Sequence, residues 1–397
     1  MYLEFHLLQN TAPSNLNRDD AGQPKACTFG YYDRARISSQ CFKRAIRTSK
    51  FFKEATHASN GERTEYLIGW LTEILAEKYP DFQKPAEEFE QTLSIFVECF
   101  AGGLDEKEPN QTSVLVYLSP DEVITIVDEL VKNWDDALVF PRPQDKNARR
   151  RHPVVKALKE IVDKQKKRNE YGVDVPDIAL FGRMLAERPE IELNAACQVA
   201  HAISTHEVRT EIDYFTAMDD RQPLDEPGAA HINAAFFNSA CFYRYAQLDW
   251  DELVKNLRGD KEVARRTVDG FLRGLIFALP KGKQSSFNSQ TYPNLVLVVI
   301  RDDGFPWSMV NAFETPVQPK KEGLIAASFE ALDNCWGYYR DKFGVLTSFK
   351  AILALPLHPT ISLHPKSDHN LSQYVVKDLP TLFEKVQSVL QQEARAI

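Results

Sequence analysis

The residues with the clearest binding chemistry begin at Arg36. Ser38 and Ser39 follow it, and a strongly basic stretch occupies residues 40–50. Serine is a favoured N-cap residue, so the sequence predicts a helix that begins at Ser38 and runs to about Phe52. The amide groups at a helix N-terminus and the positive end of the helix dipole attract phosphate. The two serines therefore predict a site where a phosphodiester chain crosses the start of a basic helix.

The two sides of this predicted helix differ in chemistry when its residues are placed about 100° apart. The polar side consists of Gln40, Lys43, Arg44, Arg47 and Lys50. The apolar side consists of Cys41, Phe42, Ala45, Ile46 and Ser49. The loop before the helix supplies further cations, namely Arg18, Lys25, Arg34 and Arg36. One interpretation is a cationic surface for phosphates above a core stripe. The other is a capped amphipathic helix whose cations only face solvent.

The distribution of charge narrows the classes of partner. The chain has 48 Lys and Arg residues against 56 Asp and Glu residues, a formal net charge of −8. An acidic protein is a poor candidate for indiscriminate nucleic-acid binding. Positive charge is nevertheless concentrated in residues 1–50 and 149–168, whereas residues 205–226 are acidic. Two concentrated basic segments indicate local binding of a polyanion, and solvated helix faces are the alternative.

The periodicity of apolar residues predicts the elements that position these side chains. Residues 2–8 alternate as a half-buried strand does, and a polar loop is expected over residues 9–25. Ser119 and Pro120 predict the start of a helix within a mainly helical region from 58 to 180. Further strands are predicted over residues 197–203, 240–246 and 295–300, and further helices over residues 260–278, 322–340 and 378–392.

Together these elements predict an α+β fold. Read without the helical insert, their order is β-α-β-β-α-β, the ferredoxin-like or RRM-like motif. The predicted domains are an RRM-like palm formed by residues 1–57 and 190–397, which includes the C-terminal helices, and a helical insertion over residues 58–189.

Several classes of protein have no support in the sequence. No apolar run approaches the roughly 20 residues that cross a bilayer, and the N-terminus lacks the pattern of a secretory signal. Scattered cysteines without a CxxC pair predict a reduced, cytoplasmic protein without a structural zinc site. His201 and His206 lack the HExxH spacing of a metal site and are interpreted as structural residues or as residues near a bound nucleic acid. No P-loop, GxGxxG or GxSxG motif occurs, so no cofactor is predicted.

Motifs along nearly the whole chain resemble those of a known family. In order they are Asn15-Leu16-Asn17-Arg18-Asp19-Asp20, Phe29-Gly30, Arg36-Ile37-Ser38-Ser39-Gln40, Phe42-Lys43-Arg44-Ala45-Ile46-Arg47, Ala179-Leu180-Phe181-Gly182-Arg183-Met184, Ala200-His201-Ala202-Ile203-Ser204-Thr205-His206, Asp213-Tyr214-Phe215-Thr216-Ala217, Phe242-Tyr243-Arg244-Tyr245-Ala246, Lys283-Gln284 and Met309-Val310-Asn311-Ala312-Phe313-Glu314. On these motifs the chain resembles the backbone subunit of the type I-E CRISPR Cascade complex, a member of the RAMP superfamily.

This resemblance implies a structure like a right hand and a role in holding RNA. An RRM-like palm is expected to carry helical fingers and a β-hairpin thumb at about 205–235, and several copies are expected to polymerise along one CRISPR RNA. The side chains expected to contact guide phosphates are Arg18, Lys25, Ser38, Gln40, Lys43, Arg47 and Lys283. Backbone contacts fix register without reading bases, so base pairing with target DNA supplies the specificity.

Two further surfaces follow from the resemblance. Met184 corresponds to a methionine that helps to wedge the guide duplex where the thumb displaces a base, whereas the residue pattern alone also allows a core methionine. The basic fingers helix that grips double-stranded DNA corresponds to Arg149, Arg150, Arg151, Lys156, Lys159, Lys166 and Lys167, with a solvated face as the alternative. The acidic thumb is expected to contact the basic surface of a neighbouring copy.

The resemblance also implies a non-enzymatic subunit that binds no membrane. Its expected partners are the CRISPR guide RNA, target DNA, further copies of itself and other Cascade subunits. The alternative is a RAMP endoribonuclease acting on precursor or target RNA, because related type III subunits cleave RNA with an aspartate in the loop that here contains Asp19 and Asp20. A third interpretation is a scaffold whose basic patches bind acidic proteins.

Overall fold

The computed structural model describes residues 1–58, 60–135, 151, 153–156, 173–185, 191–217, 231–302, 305–343, 348–361 and 370–395. The strands are β1 (Tyr2–Ser14), β2 (Ala26–Phe29), β3 (Tyr32–Ile37), β4 (Glu62–Thr64), β5 (Val116–Leu118), β6 (Cys197–Val199), β7 (Ala202–Ser204), β8 (Glu211–Ala217), β9 (His231–Asp249), β10 (Leu295–Arg301) and β11 (Phe349–Pro356). The α-helices with both ends among the described residues are α1 (Ser39–Arg47), α2 (Lys50–Thr56), α3 (Leu67–Lys78), α4 (Ala86–Ala101), α5 (Pro120–Lys132), α6 (Pro176–Phe181), α7 (Trp250–Asn256), α8 (Lys261–Phe277), α9 (Gln284–Phe287), α10 (Leu324–Phe343) and α11 (Leu379–Arg395). The α+β class predicted from the sequence is confirmed.

The chain divides into two compact units. The first unit comprises Met1–Ala55, Cys197–Trp250 and Val268–Ile397, and the second comprises Thr56–Ala196 and Asp251–Thr267. Asp251–Thr267 thus belongs to the second unit, although the sequence assigns these residues to the palm.

The first unit is built on one antiparallel sheet. Its strand order is β11-β10-β1-β9-β7-β3-β2, and β6 and β8 also pair with β9. β1 lies in the middle, where Leu3 is paired with Ile300 on β10 and with Leu248 on β9. The N-terminal strand is therefore the centre of the sheet.

Both faces of β1 are buried, whereas its alternating sequence predicts burial on one face only. On one face, the rings of Phe5 and Phe271 of α8 meet edge to face at 5.4 Å. On the other face, Glu4 and His6 are also fully buried. The Glu4 carboxylate accepts hydrogen bonds from the Arg301 guanidinium and the Trp307 amide, which satisfy its charge inside the protein. The polar residues of β1 thus mark a buried network instead of a solvent-facing side.

His6 is neutral in this network. Its Nδ1 lies 2.9 Å from the Tyr243 hydroxyl, and the Tyr243 oxygen in turn accepts from the Met309 amide at 3.0 Å. Burial lowers the pKa of His6 to about 3, and the positive charge of Arg301 acts in the same direction. The imidazole therefore contributes a hydrogen bond and packing without carrying a charge.

The region expected to be a polar loop after β1 contains more strand than its composition predicts. β1 continues to Ser14, with a shift of register between Thr11 and Ser14. Such an irregularity accommodates Pro13, which lacks an amide donor for a regular ladder. The hairpin of β2 and β3 and the edge strand β11 were not predicted. In β2 and β3 the apolar alternation is too short to be distinguished from a loop, whereas the apolar run of residues 351–355 in β11 is a strand signal of the same kind as that of β10.

The single helix predicted from Ser38 to about Phe52 is two helices. α1 ends at Arg47, and Ser49 Oγ then accepts a hydrogen bond from the Phe52 amide at 3.2 Å. Ser49 thus supplies a local partner for an amide in the first turn of α2, which favours a new start over continuation.

The second unit has a helical core of its own. The facing apolar residues come from α3, α4 and α5, namely Leu67, Leu71, Leu75, Leu93, Phe96, Phe100, Val123, Val127 and Leu130. The predicted start of α5 is confirmed as a capping box, in which Ser119 Oγ accepts from the Glu122 amide at 3.1 Å and the Glu122 carboxylate accepts from the Ser119 amide at 2.8 Å. None of the described helices is long and apolar enough to span a bilayer.

In the segment where a thumb is expected, β8 pairs with the first part of β9. The register runs from Glu211 opposite Phe237 to Ala217 opposite His231, and residues 218–230 lie outside the described part of the chain. Ile212, Tyr214 and Phe215 of β8 are exposed.

Candidate nucleic-acid interface

The start of α1 is organised by contacts from two distant segments. Ser38 has an extended backbone, and its Oγ accepts a long hydrogen bond of 3.4 Å from the Cys41 amide, so the predicted N-cap is confirmed. The Ser38 amide donates to Asn17 Oδ1 at 2.8 Å, and the Ser39 amide donates to His201 Nδ1 at 2.9 Å. The protein itself therefore satisfies part of the donor set at this helix start.

His201 is the contact at this site that the sequence did not predict. Because Nδ1 accepts from the Ser39 amide, the ring proton of the neutral imidazole resides on Nε2. Burial lowers the pKa of His201, and the nearby charges of Arg36 and Lys25 lower it further. The exposed imidazole thus stands neutral beside two cations. The only signal in the sequence was the motif that contains His201, which gives no indication of its contact with Ser39.

The loop before β2 is fixed against the edge of β3 by backbone hydrogen bonds. The Lys25 amide donates to the Asn17 carbonyl at 2.8 Å, and the Arg36 amide donates to the Lys25 carbonyl at 2.9 Å. Arg18 is exposed at the start of this loop, while Lys25 is half-buried. These bonds hold the loop that carries both cations against β3, the strand that leads into α1.

Asp19 shapes the turn within this loop. Its carboxylate accepts from the Gln23 amide at 2.8 Å, and its own amide donates to the Gln23 carbonyl at 2.9 Å. Asp20 is exposed. Among the described residues, no group of three or more His, Cys, Asp or Glu residues is arranged to hold a metal ion.

The exposed face of α1 is narrower than its helical periodicity predicts. Gln40 and Arg44 are exposed and Lys43 is half-buried, whereas Arg47 is only 9% exposed and lies with the buried side of the helix. The charge of Lys43 reaches the buried Cys197 thiol on β6, whose pKa is raised by burial and lowered in part by that charge. Arg47 is therefore not part of the solvent-facing surface assigned to it.

Arg34 is also absent from the cationic surface to which the sequence assigns it. It is fully buried, and its guanidinium donates to the carbonyls of Ser204, Phe313 and Glu314 at 3.1, 2.8 and 3.0 Å. A guanidinium with several carbonyl acceptors is a structural clamp. The sequence does not distinguish Arg34 from Arg36, because the two residues lie two positions apart on one short strand. Only the tertiary structure shows that Arg34 is the buried one.

Lys283 is brought next to the same loop although it lies far away in sequence. A Cβ placed on Gly282 would lie 2.4 Å from the Leu16 carbonyl oxygen and 2.8 Å from that of Asn15, so only glycine allows this close approach. The structure therefore gathers Arg18, Lys25, Lys283 and the start of α1 in one region of the first unit.

Met184 lies in the second unit on a rigid support. Gly182 has φ of 74°, and a Cβ there would lie 2.7 Å from the Leu193 carbonyl oxygen. Arg183 is buried and donates to the Glu122 carboxylate at 2.8 Å and to the Ile191 carbonyl at 3.0 Å. Met184 itself is 84% exposed, so the interpretation as a core methionine is wrong.

Met184 also borders a cavity of the second unit. The cavity has a volume of about 590 Å³ and is lined in part by Arg63, Tyr117 and Phe181. The Arg63 guanidinium lies 4.5 Å from the centre of the Tyr117 ring.

Most of the predicted DNA-binding cluster lies outside the described residues, namely Arg149, Arg150, Lys159, Lys166 and Lys167. Of the remainder, Arg151 is exposed in a turn, and residues 153–156 are helical with Val155 buried and Lys156 exposed.

The comparisons with known proteins agree with one another. The sequence profile of the family described as "CT1975-like protein" matches residues 3–377. A chain of a solved structure described as "CRISPR RNA-guided surveillance complex, pre-nicking" is 28% identical with a TM-score of 0.78, and the match covers 98% of this chain and 100% of that one. A chain of a "CRISPR RNA-guided surveillance complex" is 24% identical with a TM-score of 0.59, covering 98% and 99%, and shows a shared fold. No curated protein matches this chain.

Proposed function

Because the chain belongs to the CT1975-like protein family, we propose that it is the guide-RNA-binding backbone subunit of a type I-E Cascade complex. Its likeness to a chain of an RNA-guided surveillance complex over the full length of both supports a role in such an assembly. In this proposal the subunit is not an enzyme, and several copies polymerise along one CRISPR RNA and display its spacer bases to target DNA.

The start of α1 is the observation that carries this proposal. Ser38, Ser39 and the exposed Gln40 lie beside Lys25 and Lys43, and Arg44 is exposed one turn further along. The serine hydroxyls, the Gln40 side chain and the cations in one region suit a phosphodiester chain, which requires both hydrogen-bond donors and positive charge. The neutral His201 adds an Nε2 donor without increasing the charge.

The proposed contacts are to the RNA backbone, so that any spacer sequence is accepted. Arg18, Lys25 and Lys43 supply charge, while Ser38 and Gln40 supply hydrogen-bonding groups. Lys283 is supported by the close approach of Gly282 to the same loop. Arg47 is retained as a proposed contributor of charge only, because its burial leaves little surface for a direct contact.

The sheet supports the proposal of an RRM-like palm. Within it, four antiparallel strands follow the order β10-β1-β9-β6, which is the order that a β-α-β-β-α-β unit produces. In the same proposal the helical second unit forms the fingers, with Arg151 and Lys156 among the residues that contact target DNA. The paired β8 and β9 segments form the thumb, and the exposed Met184 supports a displaced step of the guide duplex.

The experiment that tests the function is binding of two single-stranded RNAs of unrelated sequence and equal length. Backbone recognition predicts equal affinities, and it predicts that Gln40→Ala combined with Arg44→Ala weakens both to the same extent. Glu322→Ala combined with Lys342→Ala is a control that changes exposed residues elsewhere in the first unit. A strong preference of the wild-type protein for one RNA contradicts backbone recognition.

The endoribonuclease alternative is tested with the same RNAs in the presence of divalent metal. The structure gives Asp19 a role in the turn and gives His201 Nδ1 a role at the helix start, and both favour structural functions for these residues. Intact RNA after prolonged incubation is the expected result. Cleavage that is lost in Asp20→Ala would replace the proposal with the alternative.

A further inference from the structure

The turn between β2 and β3 places a tyrosine in a conformation that costs energy. Phe29 pairs with Tyr32, and the two residues between them, Gly30 and Tyr31, have φ of 61° and 68°. Two successive positive φ angles define a type I′ turn, in which asparagine, aspartate and glycine are preferred at the first position and glycine at the second. A bulky side chain is disfavoured in this region of backbone space. Glycine at position 31 would therefore be the better choice for the turn itself.

The turn is held firmly against the first unit. A Cβ on Gly30 would lie 2.0 Å from the Glu314 carbonyl oxygen, so the backbones are in direct contact. The buried Arg34 donates to the Phe313 and Glu314 carbonyls and to the Phe29 carbonyl at 3.4 Å. The tip of this hairpin, Gly30 and Tyr31, is thus held by Arg34 of its own strand and by the segment at Glu314.

The Tyr31 ring does not contribute to this clamp. Its relative exposure is 101%, and the adjacent Tyr32 is 42% exposed. Folding gains little from a ring that none of the described residues covers, whereas the positive φ of Tyr31 costs energy. A disfavoured conformation that stability does not explain indicates a role outside the folded chain.

The surroundings of the ring are acidic. Asp33, Glu207 and Glu314 are all exposed, and the Val208 amide donates to the Asp33 carbonyl at 3.0 Å, which holds Glu207 beside the hairpin. Arg34, whose charge interacts with Glu207, is buried beneath the hairpin, and Arg209 is the exposed cation next to Val208. An acidic rim repels phosphates, so the tip is not a platform for stacking RNA bases. It suits a basic side chain, which gains from both the ring face and the carboxylates.

The basic surface of the same unit lies at the other end of β3. This strand runs from Tyr32 to Ile37, which is roughly 17 Å at about 3.3 Å per residue, and the start of α1 follows it directly. The acidic tip is therefore separate from the surface assigned to RNA, and a contact between this tip and an unlike surface of a second copy would run head to tail and continue along an assembly instead of closing on itself.

We propose that the Tyr31 tip is a docking surface for a second copy of this chain, which contributes a basic side chain to the tyrosine ring and its acidic rim. This inference rests on the proposed function as a polymerising subunit and names one surface through which copies join.

The test compares a short RNA that holds one copy with a long RNA that holds several. Tyr31→Gly removes the ring and suits the positive φ, so its thermal midpoint should equal or exceed that of the wild type. The affinity of Tyr31→Gly for the short RNA should stay within about twofold of the wild-type affinity. Its cooperativity on the long RNA should fall by about tenfold or more, as expected for loss of a central aromatic contact.

Matched variants complete the design. Tyr31→Phe keeps the ring and should retain cooperativity. Tyr292→Ala removes another exposed tyrosine of the first unit, 70% exposed, and should have no effect. Glu207→Gln with Glu314→Gln should lower cooperativity and weaken its dependence on salt.

The outcomes separate the two proposals. Unchanged cooperativity in Tyr31→Gly overturns the docking surface and leaves RNA binding standing. An equal loss on both RNAs also overturns it, because the ring would then contact RNA. Failure of the wild-type protein to bind either RNA overturns the proposed function and this inference together.

Discussion

Replacing Lys43 and Arg44 with glutamine should halve the salt dependence of RNA binding. Arg44 is exposed and Lys43 is half-buried on α1, while Arg18 and Lys25 supply two further cations from the adjoining loop. Each neutralised phosphate contributes about −0.7 to the slope of log K against log salt for a single strand. With about four phosphates neutralised per subunit the slope is about −3, and with two fewer it is about −1.4.

This difference in slope is large enough to measure. Between about 50 and 200 mM salt, the wild-type affinity should fall about 50-fold and that of the double variant about sevenfold. Fluorescence anisotropy with two RNAs of unrelated sequence, at several salt concentrations, gives both slopes.

The control removes the same charge at the other edge of the sheet. Lys377 follows Val375, which bridges to Ala354 on β11, and Lys385 is exposed on α11. Lys377→Gln with Lys385→Gln should leave the slope unchanged. The reasoning is refuted if the α1 double variant keeps the wild-type slope, or if its loss of affinity is confined to one of the two RNAs.

Three further predictions concern stability, each measured by urea unfolding. The folded state keeps His6 neutral, with a pKa of about 3, while the unfolded chain takes up this proton below about pH 6.5, so stability falls as the pH drops through this range. Between pH 7 and pH 5 the free energy of unfolding of the wild type should therefore fall by about 2 kcal/mol more than that of His6→Gln, and equal decreases would show that His6 is not held neutral. Arg183→Met should lower the free energy of unfolding by about 3 kcal/mol because it leaves the Glu122 carboxylate without its buried partner, whereas Met184→Ser should change it by no more than about 0.5 kcal/mol. A similar loss in both variants would contradict the burial assigned to the two residues. Gly282→Ala should destabilise the protein by about 1–3 kcal/mol through the clash with Leu16, while Gly69→Ala, whose added Cβ meets nothing within 4 Å, should not destabilise it. Unchanged stability of Gly282→Ala would contradict the close approach of Gly282 to Leu16.

Features defined within one turn or one strand could be predicted from the sequence. The caps at Ser38 and Ser119 depend on side chains that bond to amides three residues away, so the pattern of residues contains the whole interaction. The buried strand β10 is an uninterrupted apolar run, which is sufficient to predict it. The α+β class follows from the alternation of such elements.

Contacts between distant segments were decided by the tertiary structure alone. Glu4 and His6 alternate with apolar residues as solvent-facing side chains do, yet the central position of β1 covers both faces of the strand. Arg34 is buried because the segment at Phe313 and Glu314 offers it carbonyl acceptors, and His201 reaches the Ser39 amide because β7 and β3 are neighbours in the sheet. Helical periodicity assigns Arg47 to the solvent side, but a helix that ends after only nine residues and packs on a sheet has fewer free positions than an isolated one. The sequence by itself therefore determined which residues are basic and where a helix begins. Strand order decided which of those charges face solvent, because burial depends on neighbours that are far apart along the chain.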